Sequence, residues 1–170
     1  EPGDEVVVCE PKGDALGRGL FSPASAIRVR LYTRAADRPL DEGFFAERIT
    51  RAFESRARLA LPSADTTGFR AVHAEGDGLP GLVVDVLGDA LSVQWGTVGL
   101  ARRAASLLDV LERIARPRAI VERTSQPIAR REGFAAQSGV QRGDRSLESF
   151  RFVERGFSFE IPLALAQKTG

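Results

Sequence analysis

Few side chains in this sequence have the type and spacing to do chemistry. Cys9 is the one cysteine and His73 the one histidine. A cysteine thiolate is a nucleophile, but Cys9 closes a Val6–Val8 run between Glu5 and Glu10, and acidic neighbours oppose thiolate formation. A small buried hydrophobe is the reading that fits it better. His73 has no second histidine or cysteine to complete a metal site, so a hydrogen-bonded structural role on a strand is expected. Glu75, Asp77 and Asp85 could form an acid–base pair. In a glycine-rich connection they are expected instead to cap turns or pair with arginines. Arg18, Arg28, Arg30 and Tyr32 are the best nucleic-acid candidates: three cations for phosphate and one ring for stacking. An exposed strand face of ordinary composition accounts for them equally well. Arg102, Arg103, Arg130 and Arg131 could widen that basic surface.

Bulk properties do not decide between these readings. The 170 residues carry a net charge of +1, with 43% hydrophobic and 28% charged residues, enough to bury a core. Positive charge is nearly all arginine; only Lys12 and Lys168 are lysines. Guanidinium suits bidentate phosphate contact and base stacking, although a GC-rich genome alone also produces an Arg-rich, Lys-poor chain. No apolar run approaches the ~20 residues that span a bilayer. The start, Glu1-Pro2-Gly3-Asp4-Glu5, does not read as a signal peptide. A single cysteine excludes an intramolecular disulfide and fits a reducing cytoplasm. The absence of methionine, and an end at Gln167-Lys168-Thr169-Gly170, lead to the expectation of an N-terminal piece of a longer protein.

The elements that would position these groups follow from periodicity. Residues 4–33 read as three short strands: Val6–Cys9, Leu16–Phe21 and an alternating Ile27–Tyr32 stretch with Ile27, Val29 and Leu31 on the core face. A helix runs from an Asp41 N-cap to Leu61, with Phe45, Ile49, Ala52 and Phe53 on its apolar stripe. On its other face Arg48, Arg51 and Arg58 mix with Glu47 and Glu54, the pattern of a solvated surface. Beyond a polar linker come strands Phe69–Ala74, Leu82–Leu87 and Ala90–Trp95, a helix Val98–Ala115, a strand Arg118–Glu122, a stretch Thr124–Phe134 that is irregular or a short helix around Pro127, and a hairpin of Phe150–Val153 with Phe157–Ile161. The class is α+β.

Glu75-Gly76-Asp77-Gly78-Leu79-Pro80-Gly81-Leu82-Val83-Val84-Asp85 is neither a P-loop nor a dinucleotide fingerprint. It resembles the signature of bacterial ribosomal-RNA methyltransferases of the large-subunit cytosine carbon-5 type, dependent on S-adenosylmethionine. Gly17-Arg18-Gly19-Leu20 and Ser25-Ala26-Ile27-Arg28-Val29-Arg30 look like part of that family's PUA domain. Phe44-Phe45 with Arg48-Ile49 looks like its linker helix. Val121-Glu122-Arg123 and Arg131-Glu132-Gly133 are similar to its central domain, and Gln167-Lys168-Thr169-Gly170 to the opening of its catalytic domain, although Ala166 stands where the family has glycine.

The resemblance implies a partial PUA-like β-barrel over 1–38, a linker helix and linker over 39–68, a small α+β central domain over 69–163, and the start of a methyltransferase domain at 164–170. The Rossmann-like methyltransferase domain itself is expected to be absent from the chain. It further implies RNA, 23S ribosomal RNA in particular, as partner, and S-adenosyl-L-methionine as the intact protein's cofactor, with Gln167, Lys168 and Thr169 beside it. Arg18, Arg28, Arg30 and Tyr32 become the expected RNA contacts. On this reading the chain positions RNA and makes no bond itself, and no metal or membrane takes part. A non-catalytic RNA-binding or homodimerising module is the rival.

Overall fold

The computed structural model describes residues 1–165. Three strands open the chain: β1 (Glu5–Cys9), β2 (Ala15–Phe21) and β3 (Val29–Thr33), an antiparallel sheet in that order. The alternation expected in β3 has the opposite phase. Ile27 precedes the strand and is 56% exposed, Leu31 is 38% exposed, and Tyr32 is the buried residue. Two facts account for this. The β2–β3 register shifts at Arg18/Gly19, and the Tyr32 hydroxyl has a buried partner, donating to the Pro80 carbonyl at 2.6 Å. A hydrogen-bonded tyrosine buries a large apolar ring without an unsatisfied oxygen.

Helix α1 (Glu42–Ala57) begins as the sequence indicates: the Asp41 carboxylate accepts from the Phe44 N–H at 2.8 Å. Phe44, Phe45, Ile49 and Ala52 are its buried stripe. It ends earlier than Leu61 because the residue before a proline disfavours helical torsions, and Ala60 already has φ +57°.

The main sheet has five strands, β4 (Gly68–His73), β5 (Leu82–Leu87), β6 (Ala90–Trp95), β7 (Ala119–Glu122) and β8 (Gly139–Gly143), in that spatial order. Every pairing is antiparallel except β6 with β7. That parallel pair needs a crossover, supplied by α2 (Val98–Ala101) and α3 (Ala104–Ala115). A single helix was expected here. It is broken at Arg102–Arg103, where Arg103 leaves helical torsions and α3 starts afresh. Strand β8 was not anticipated: its Gly-Val-Gln-Arg-Gly sequence has little strand propensity, and pairing with β7 imposes the conformation. The stretch around Pro127 is a short helix, α4 (Gln126–Glu132), capped by Ser125. The hairpin of β9 (Ser149–Glu154) and β10 (Phe157–Pro162) turns at Arg155 and Gly156, both with positive φ, the geometry that matches strand twist.

One core joins these layers. Leu20 and Tyr32 of the first sheet, Phe44, Phe45 and Ile49 of α1, Leu79, Trp95 of β6 and Leu107 and Leu111 of α3 belong to one buried cluster. A second cluster, with Phe150, Ala119 and Val121, packs β9 under the far end of the main sheet.

Candidate nucleic-acid interface

The glycine-rich connection is held on three sides. Residues Ala74–Asp77 form a 3-10 turn after β4, capped by Gly78 at φ +67°. Asp77 accepts from Arg56 through both oxygens, at 2.5 and 2.8 Å, and from the His73 N–H at 2.6 Å. Leu79 is fully buried and Pro80 receives the Tyr32 hydroxyl. Asp85 pairs with Arg70 at 2.8 Å. Asp77 and Asp85 therefore act as turn cap and arginine partners, not as an acid–base pair. Burial opposes ionisation of Asp77, but the Arg56 guanidinium and the His73 N–H outweigh it and hold the carboxyl below its ordinary range. Burial pushes Tyr32 well above the normal phenol range.

The four residues expected to meet RNA do not share one open face. Arg18 donates to Glu5 and to the Ala36 carbonyl. Arg30 approaches Glu132 at 3.4 Å. Tyr32 is 5% exposed and its ring stands edge-on against Phe45, so it offers no stacking surface. Arg28 is exposed. Of the wider set, Arg102 and Arg103 tie α2 to the chain start through the Pro2 and Gly3 carbonyls. Arg130 and Arg131 are exposed at the end of α4 and, like Arg28, have no carboxylate partner among the described residues. The end of α4 lies against β3 and the loop before it, where Arg30 of β3 meets Glu132 and the Gly133 backbone approaches Ala24 of the loop. Arg28, Arg130 and Arg131 thus flank a single seam between the first sheet and the rest of the molecule.

Nothing described looks like a bond-making centre. Cys9 is exposed at the end of edge strand β1, not buried as expected, because the outer edge of that strand has no neighbour among the described residues. His73 is exposed, and its hydrogen bond comes from its backbone. No group of three or more potential metal ligands is found among the described residues. Gln167, Lys168 and Thr169 lie outside the described residues. A mainly apolar cavity of about 550 Å³ opens between α1, β4–β6 and the end of α3, lined by Phe53, Phe69, Val86, Leu91 and Ile114, with Thr50, Glu54 and Asp89 also on its wall and no cysteine or histidine. No helix of the described residues is long and apolar enough to cross a membrane.

Sequence reasoning missed Glu122. It is 4% exposed on β7 and accepts from the Gln137 N–H at 3.1 Å. Burial raises its carboxyl above the ordinary range, against the hydrogen bond from the Gln137 N–H. The signal was present as an acid closing the apolar run Ala119-Ile120-Val121.

The three-stranded opening sheet, with its glycine-flanked Arg18, now has an independent match. Residues 1–34 match the model of the PUA-like domain family. The whole chain is similar to proteins named Ribosomal RNA large subunit methyltransferase I: 31% identical over 170 residues to that of Erwinia tasmaniensis and 34% to that of Shewanella denitrificans. In both cases it covers 100% of this chain but 43% of the relative. Two solved structures share the fold across 95% of this chain and 40% of theirs. One, assigned as a methyltransferase and complexed with SAH, gives a TM-score of 0.80 at 17% identity; the other, assigned as a SAM-dependent methyltransferase from Streptococcus mutans, gives 0.79 at 18%.

These likenesses correct one expectation. The sequence reading left the methyltransferase fold, apart from its first residues, outside this chain. The superposition runs instead over almost the entire chain, so its fold is one it shares with part of two structures assigned as methyltransferases. The expectation rested on glycine-rich cofactor motifs, which report a binding loop and not the sheet. The strand, helix and strand of residues 90–122 were read from the sequence, but not the parallel pairing of β6 with β7 that makes them a crossover unit.

Proposed function

We propose that this chain binds and orients large-subunit ribosomal RNA for base methylation from S-adenosyl-L-methionine. What carries the reading is the similarity that runs over all 170 residues to methyltransferases named for that RNA, together with the PUA-like match. The target is cytosine carbon-5, as the glycine-proline signature implies. The protein works in the cytoplasm. Arg28, Arg130 and Arg131, exposed and without acidic partners around one seam, are the contacts to the RNA backbone. Gln167, Lys168 and Thr169 meet the cofactor. Residues 1–165 bind and place the base, and residues 1–170 by themselves transfer no methyl group, a reading supported by the exposed, edge-strand position of the one cysteine, Cys9.

The test pairs two assays on the 170-residue chain. Filter binding to unmodified large-subunit RNA should show an affinity that falls steeply with salt, because phosphate contacts release counterions. Incubation with tritiated S-adenosylmethionine should leave the RNA unlabelled. Absence of RNA binding at low salt overturns the role assigned to the chain, and tritium in the RNA overturns the division of labour.

A further inference from the structure

A second basic site lies away from that seam, in the cleft between α1 and the glycine-rich turn. It has a volume of about 270 Å³ and is lined by Arg48, Arg51, Ala52, Ser55, Gly76, Asp77 and Gly78. We propose that this cleft is a phosphate-binding notch for one or two phosphodiesters of the RNA strand, an inference that rests on the RNA-binding reading above.

Four observations support it. First, the two arginines are uncommitted. Among the described residues neither Arg48 nor Arg51 has a carboxylate partner, whereas Arg18, Arg38, Arg56, Arg70 and Arg118 each have one. The Arg48 Nε is buried without an acceptor, and buried donors normally have one. Second, the acids that seemed to neutralise this helix face are engaged elsewhere. Glu47 is taken by Arg38 at 2.5 Å, and Glu54 lines the apolar cavity on another side of α1. Asp77, the one carboxylate lining the cleft, already accepts both Arg56 hydrogen bonds. Third, the Arg48 guanidinium is held in place by the Phe44 ring, with its central carbon 5.3 Å from the ring centroid. Fourth, the backbone opposite is glycine where space is critical. Gly78 has φ +67°, and a Cβ there would stand 2.7 Å from Arg48 Nη1. Two guanidiniums beside a turn with glycine at 76 and 78, its Asp77 already occupied by Arg56, suit a tetrahedral, multiply accepting anion, which they can grip bidentately. A carboxylate side chain of a protein partner offers fewer acceptors, and the RNA reading supplies phosphates in series.

The experiment measures fluorescence anisotropy of a labelled single-stranded RNA oligonucleotide with the full chain across a salt series. Arg48→Gln/Arg51→Gln should bind about tenfold more weakly at low salt, and its salt slope should fall by about 1.4, given ~0.7 per phosphate contact on a single strand. Arg48→Lys/Arg51→Lys should retain the wild-type slope, since charge is kept while bidentate geometry is lost. Arg113→Gln/Arg142→Gln, which removes arginines already paired with Glu42 and Asp109, should bind like wild type. If the wild-type chain binds RNA and a folded Gln double variant matches it in affinity and slope, the notch is refuted while the RNA role stands. If the wild-type chain itself fails to bind, the RNA role and the notch both fall.

Discussion

Asp77→Ala tests the link between the glycine-rich turn and α1. The carboxylate receives two hydrogen bonds from Arg56 and one from the His73 N–H, and the paired side chains are 12% and 17% exposed. Removing one partner of a fully buried pair costs roughly 3–5 kcal/mol, because a charge is left without its counterpart. Here Arg56 keeps its bond to the Arg70 carbonyl at 3.0 Å and some access to water, so a loss of about 3 kcal/mol is expected. Trp95, the sole tryptophan and 1% exposed, reports unfolding directly by fluorescence. With an m-value of about 2 kcal/mol/M the urea midpoint should fall by about 1.5 M. Asp77→Asn, which keeps one acceptor, should lose about half as much. The effect should also depend on pH in a defined direction. The carboxyl is held below its ordinary value of 3.8, so its contribution is present above that value and lost as pH falls through its lowered one. The gap between wild type and Asp77→Ala should therefore close in strong acid. A midpoint shift below about 0.3 M at neutral pH would show that the turn is not held by this pair.

Three further outcomes follow from the same packing. Tyr32→Phe should cost about 1–2 kcal/mol in urea unfolding, since it leaves the buried Pro80 carbonyl without its donor; a neutral result would mean water reaches that oxygen. Gly88→Ala should lower stability by more than about 2 kcal/mol, because φ is +70° and a Cβ would lie 2.0 Å from the Arg151 carbonyl oxygen; a thermal melt unchanged from wild type contradicts the close approach of β9 to that turn. Glu122 has its carboxyl raised above the ordinary 4.5, so the folded state binds its proton more tightly and wild type loses stability as pH rises from that value through the raised one. Glu122→Gln should remove that limb and gain on wild type as pH increases, whereas parallel pH curves would place the carboxylate in water.

The strands and helices with strong periodicity were readable from the sequence, and the functional surface much less so. Asp41, the Phe45–Ile49–Ala52 stripe and the Ala90–Trp95 strand announced themselves because local pattern and tertiary burial agree there. Strand β8 was hidden because its residues favour no conformation until β7 supplies a partner. The phase of β3 was hidden because a hydrogen-bonded tyrosine can outcompete a leucine for the buried side when Pro80 waits across the interface. The arginines show the same limit from the other direction. Sequence spacing put Arg28 and Arg30 on one strand face and grouped Arg18 with them as an RNA contact. Which cations remain free depends on where Glu5, Glu47 and Glu132 fall in space, a fact set by contacts up to 102 residues apart. Arg48 and Arg51 looked neutralised in the sequence, yet neither has a carboxylate partner among the described residues.

Photo-crosslinking of the 170-residue chain to large-subunit ribosomal RNA, followed by mass spectrometry of the RNA-bearing peptides, tests the central claim most directly. Crosslinks are expected in peptides containing Arg28, Arg48–Ser55, Gly76–Gly78 and Arg130–Arg131, weakened by added salt. Crosslinks confined to the β9–β10 hairpin, or none above a control protein of equal charge, would contradict it.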